Sequence, residues 1–168
     1  MEHNDYLLAL AEVAATFVGF SMVVGAIRPD VRSSGLRRST MYDVALIGFF
    51  VVGGALAPYA LAAHQLSPST VWRIASLSLL VVWVLAYLAA LRRFHRAHGA
   101  AFLAPMWGSV LAVVNPLVVL VGNGMLLWNV VSPDSGAGAR YLVALLGLLL
   151  ISAYLFLNAV FGDSDAAT

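Results

Sequence analysis

Asp5-Tyr6-Leu7-Leu8-Ala9-Leu10-Ala11-Glu12-Val13-Ala14-Ala15-Thr16-Phe17-Val18-Gly19-Phe20-Ser21-Met22-Val23-Val24-Gly25-Ala26-Ile27 is apolar over nearly its whole length, yet it carries a carboxylate, Glu12, well inside. Crossing the hydrocarbon core of a bilayer takes about 20 mainly apolar residues, so the run is read as a transmembrane helix. A charged side chain at the bilayer centre costs about 2.5–3.5 kcal/mol on insertion scales and therefore faces protein, a partner or water rather than lipid. Ala11, Ala15 and Gly19 recur every fourth residue and form a small ridge beside Glu12 along which another helix can approach. The stretch predicts a first helix whose Glu12 face lies inside a bundle.

The rest of the chain fits a lipid solvent. Of its 168 residues, 62% are hydrophobic and 10% charged, against about 45–50% and about 25% in soluble domains. Four further runs are long and apolar enough to cross, giving expected spans at 6–27, 41–63, 71–91, 105–131 and 141–161. The connections are short, so neighbouring helices should run antiparallel and residues 1–168 should form a single transmembrane domain. The expected fold is all-α, an integral membrane helical bundle with five transmembrane spans.

Net charge is +1, with no lysine and no cysteine. That balance points to no nucleic acid partner, and the lack of thiols removes disulfides, thiolate nucleophiles and iron–sulfur ligation. The segment before helix 1, Glu2-His3-Asn4-Asp5, is acidic, unlike the basic start of a cleavable signal peptide, so helix 1 is expected to stay in the mature protein. Arginines set the orientation. Arg28, Arg32, Arg37 and Arg38 lie between the first two spans, and Arg92, Arg93 and Arg96 follow the third. Positive residues stay cytoplasmic, which predicts an outside N-terminus and a cytoplasmic C-terminus in a multi-pass protein of the cell inner (plasma) membrane. Arg37, Arg38, Arg92, Arg93 and Arg96 are candidate contacts for anionic membrane lipids.

The fourth span is the second unusual one. Asn115-Pro116 falls near its middle, where proline removes a backbone hydrogen bond, so Pro116 is a candidate hinge. Gly108, Asn115, Gly122 and Asn129 recur every seven residues as a small, polar stripe, and Asn123 sits between two glycines. Unpaired amides in lipid cost several kcal/mol, so the stripe should face protein or a wet cavity. In the third span Arg73, Ser76, Trp83 and Tyr87 share one side, and the fifth offers a seam of Ala144, Gly147, Ile151, Tyr154 and Asn158. Counting 1.5 Å per residue puts Glu12 about 9 Å below the outer end of its helix, a level bracketed by Asn115 and Gly122. Glu12, Thr16, Asn115, Asn123 and Ser76 are therefore expected around a polar pocket or pore, with a cation or proton at Glu12.

His95 and His98 stand three apart, but two histidines among arginines make a poor metal site, and no metal or cofactor is expected. No nucleophile elbow, zinc helix or phosphate loop is present, so the chain is not expected to be an enzyme. Two functions fit. One is a small homo-oligomeric channel for an ion or small solute, with Glu12 controlling permeation. The other is a non-conducting scaffold or accessory subunit whose polar residues serve packing. The run Ala11 to Phe20 resembles the opening helices of small bacterial membrane proteins, and the arginine-only, alanine-rich usage points to a bacterial gene.

Overall fold

The computed structural model describes residues 4–27, 35–98 and 111–161. Among the described residues the chain is all helical: α1 Asn4–Ile27, α2 Gly35–Ala62, α3 Pro68–His98, α4 Leu111–Val131 and α5 Ala137–Phe161. Four of these hold runs long and apolar enough to cross a membrane, Asp5–Ile27, Thr40–Ala62, Pro68–Arg93 and Ala137–Phe161. Of the fourth expected span, 105–131, the described part is α4, with the apolar run Pro116–Val131; residues 105–110 and the side chains of 111–115 lie outside the described part. Large apolar side chains such as Phe20, Leu85, Leu120 and Leu150 are exposed on the helices that also bury Leu7, Leu79, Leu126 and Leu145. Helices apolar all round, with surface of this kind, belong in a bilayer, and the chain is a multi-pass membrane protein.

Local chemistry sets the helix ends. After α2, Gln65 adopts a left-handed conformation (φ 58°), and Gln65 N donates to the Ala62 carbonyl at 3.0 Å, closing the last turn. Ser67 then caps α3: its Oγ accepts from Thr70 N at 3.3 Å, and Pro68 takes the first helical position, where its missing N–H is harmless. α3 is the longest helix at 31 residues, about 46 Å of rise against about 30 Å of hydrocarbon.

The chain divides into two compact units, one drawn from Met1–Ala57 and Leu145–Thr168, the other from Pro58–Ala144. The first division falls in α2 at Pro58, which is fully buried, and the second falls within α5. In the first unit α1 and α2 run antiparallel, with Val18 packed on Gly48 and Gly25 beside Met41. Phe156 of α5 meets Phe17 nearly edge-on at 5.5 Å and Phe20 at 5.8 Å, over a core of Val44, Phe156 and Val160. Ser152 Oγ donates across to the Val44 carbonyl at 2.9 Å. Lipid tails are as apolar as leucine, so such close packing and interhelical hydrogen bonding, rather than escape from water, hold these helices.

In the second unit α3 and α4 are antiparallel, with Trp83 seated on Gly122 and Ser76 bonded to Asn129. The seam foreseen on α5 is rotated: Tyr141, Ala144, Leu145, Leu148, Ser152, Phe156, Ala159 and Val160 are among its buried residues, whereas Gly147, Ile151 and Tyr154 are half-buried and Asn158 is exposed.

Candidate functional site

Two polar features stand out, one in each unit. In the second unit, Asn129 sits fully buried near the end of α4 and uses every polar atom of its amide. Nδ2 donates to Ser76 Oγ at 3.1 Å and to the Ala137 carbonyl at 2.9 Å. Oδ1 accepts from Arg140 Nε at 2.7 Å. Arg140 continues through Nη2 to Asp134 Oδ1 at 2.8 Å, and the same oxygen accepts from Gly136 N at 2.7 Å. One amide thus ties α3, the α4–α5 turn and the start of α5 together. The hydrogen bond from Arg140 beside it, and then that from Gly136, hold the Asp134 carboxyl below the usual carboxylate range. Trp72 and Tyr141, both buried, pack with ring centroids 5.7 Å apart in the same unit.

Asn123, two turns earlier, behaves differently. Its Nδ2 donates to the carbonyl of Val119 in its own helix at 2.8 Å, while its Oδ1 is buried with no hydrogen-bond partner among the described residues. A buried acceptor left open is costly and uncommon.

In the first unit the finding is Glu12. The expected inward Glu12 face is corrected: α1 buries Leu7, Leu10, Ala11, Ala14, Val18 and Ser21, and exposes Glu12, Ala15, Thr16 and Gly19. The reason is rotational. Ala11 and Glu12 are 100° apart on the helix, and the closest packing available, Val18 on Gly48, selects the Ala11 side. Nothing lies within 4 Å of where a Cβ on Gly19 would stand, so this part of the small ridge is open. Glu12 makes no hydrogen bond or ion pair with another described residue. Its place in Asp5–Ile27 puts it about 10 Å along a helix long and apolar enough to cross a membrane.

The other anticipated residues fall as follows. Ser76 is fully buried and committed to Asn129, so it is not free to line a water-filled path. Arg73 and Tyr87 are exposed, which separates them from buried Ser76 and Trp83 on α3. α4 runs unbroken through Pro116, and Gly122 and Asn129 of its stripe are buried. Arg92, Arg93 and Arg96 are exposed on the last turns of α3. Arg28, Arg32 and Gly108 lie outside the described residues, as do the side chains of Arg37, Arg38, His98 and Asn115. No group of three potential metal-binding side chains occurs among the described residues.

Sequence reading passed over the Asp134–Arg140 pair and Ser152. A signal for the first existed, since an acid and an arginine flanking a short glycine turn can reach each other across it. No protein family, curated protein or solved structure matches this chain.

Proposed function

We propose that this protein is a homo-oligomeric membrane channel that passes an ion or small solute along a path formed between copies and bordered by Glu12 and Thr16. The observation that carries the reading is the exposed Glu12 carboxylate, unpaired among the described residues, inside a helix able to span the bilayer. Its side chain is too short to carry the charge about 10 Å to the headgroups, so water or a partner has to meet it at depth. A ring of such carboxylates, one from each copy, is a known means of selecting cations. A single chain of this size gives little room to surround a path and shield it from lipid, which favours assembly.

In this reading the N-terminus is outside, the C-terminus is cytoplasmic, and Arg92, Arg93 and Arg96 hold the end of α3 at the anionic inner leaflet of the cell inner (plasma) membrane. The alternative, a non-conducting scaffold, is favoured by one observation: Asn129, Ser76 and Arg140 use their polar groups to join helices.

The deciding experiment is ion flux through liposomes holding the purified chain, with oligomer mass measured in parallel. Flux that Glu12→Gln alters, in oligomers of unchanged mass, is the expected result. No flux from an intact oligomer would overturn the channel and leave the scaffold.

A further inference from the structure

Thr16 stands one turn beyond Glu12 on the exposed side of α1, and like Glu12 it makes no hydrogen bond with another described residue. A hydroxyl in an apolar helix ordinarily turns to a carbonyl, often the one three or four residues earlier. Ser21 donates to the Phe17 carbonyl at 2.7 Å, Ser78 to the Ala75 carbonyl at 2.9 Å and Ser152 to the Val44 carbonyl at 2.9 Å. For Thr16 the carbonyl four residues back is that of Glu12 itself, and Oγ1 leaves it alone. The hydroxyl therefore stays open beside the open carboxylate.

Groups at i and i+4 face the same way on a helix, with Cβ atoms about 5–6 Å apart. Helical Cα–Cβ bonds tilt toward the N-terminus, so the Thr16 side chain leans over the turn of Glu12. Hard cations of sodium's or calcium's size sit about 2.3–2.6 Å from oxygen, so one such ion can touch both groups across that gap. Small residues leave room for it. Ala9 and Ala15 are exposed alongside, and nothing lies within 4 Å of where a Cβ on Gly19 would stand. Water or oxygens of a neighbouring copy can complete the coordination there.

Charge decides the class of ion. The other acid of α1 is Asp5, in its first turn, so the site offers a single negative charge. A monovalent cation leaves it neutral inside an apolar span, whereas a divalent one leaves a net positive charge, which is costly there. Carboxylate and hydroxyl oxygens are hard ligands, which favours a hard ion over soft metals.

We propose that Glu12 and Thr16 bind a small alkali cation of sodium's size, held between a carboxylate oxygen and the hydroxyl oxygen on consecutive turns of α1. The proposal rests on the channel reading above and names its permeant ion. Glu12 supplies the charge, and Thr16 is the direct ligand that sets how tightly the ion is held.

The test uses the purified full chain in liposomes. Dicyclohexylcarbodiimide enters membranes and modifies carboxyl groups it can reach, and mass spectrometry maps the modified residue. Glu12 should label in choline chloride, and sodium chloride at the same ionic strength and pH should slow the labelling severalfold. Thr16→Val should label as the parent does but need about tenfold more sodium for the same protection, and Thr16→Ser should keep the parent's response. Absence of labelling in choline, labelling that sodium leaves unchanged, protection undiminished in Thr16→Val, or calcium protecting at lower concentration than sodium each overturns the proposal. Cation flux measured on the same liposomes separates the site from the channel. Flux without sodium protection sinks this site and leaves the channel, whereas sodium protection without flux keeps the site and removes the channel.

Discussion

The indole of Trp83 lies over Gly122 so closely that a Cβ on Gly122 would stand 2.6 Å from Trp83 Cη2 and 2.9 Å from Cζ3. The contact fixes how near α3 and α4 can come, and a buried ring cannot swing aside without disturbing its neighbours. Gly122→Ala should therefore destabilise the protein by about 1–3 kcal/mol, the range for overpacking, and Trp83→Leu should relieve part of that loss. Unfolding in detergent of the two single variants and the double variant checks both. An unchanged transition in Gly122→Ala would contradict the contact.

Two asparagines on α4 should respond differently to truncation. Asn129→Ala removes a donor pair and an acceptor that together serve Ser76, Ala137 and Arg140, and should cost about 2–4 kcal/mol. Asn123→Ala loses a bond within one helix and also removes an unsatisfied buried oxygen. Its cost should be below about 1 kcal/mol, as measured by the same unfolding assay.

Acid should loosen the α4–α5 turn. Arg140 and Gly136 stabilise the ionised Asp134, whose pKa in the folded chain is depressed. Its contribution is therefore complete above the unfolded carboxylate value of about 3.9 and is lost as pH falls through the lower folded value. Asp134→Asn should lower stability near neutrality and flatten the fall in stability between pH 5 and pH 2. Thermal unfolding across that range is the measurement, and the difference should be small because the pair is open to solvent and screened.

The basic end of α3 gives a prediction about lipid. Arg92, Arg93 and Arg96 are exposed beyond the length of helix that hydrocarbon can cover. Each should contribute about 1 kcal/mol toward an anionic surface. Replacing all three with glutamine should reduce the preference for phosphatidylglycerol over phosphatidylcholine by about tenfold or more, read from competition for protein-bound lipid. Loss of the preference in higher salt should accompany it in the parent chain.

Which stretches are helical and apolar could be read from the residues, because spanning length and composition are local properties. Rotation about each helix axis could not. In α1 the residues on every side of Glu12 are apolar or small, so no periodic contrast marks an inner face, and the face turned inward follows from tertiary contacts such as Val18 on Gly48 and Phe17 on Phe156. α3 repeats the lesson. Ser76 turns in to Asn129 while Arg73 turns out, although both sit within one helical turn. Asn129 could be recognised as a polar group needing cover. Its partner Arg140 lies across a turn and depends on how that turn folds.

The tie between Asp134 and Arg140 also sets the charge of the turn. These are the charged residues of the segment joining α4 to α5 and of its immediate helix ends, and each neutralises the other at 2.8 Å. Cutting the carboxylate away would leave Arg140 as the lone charge of this connection, held only by the Asn129 amide.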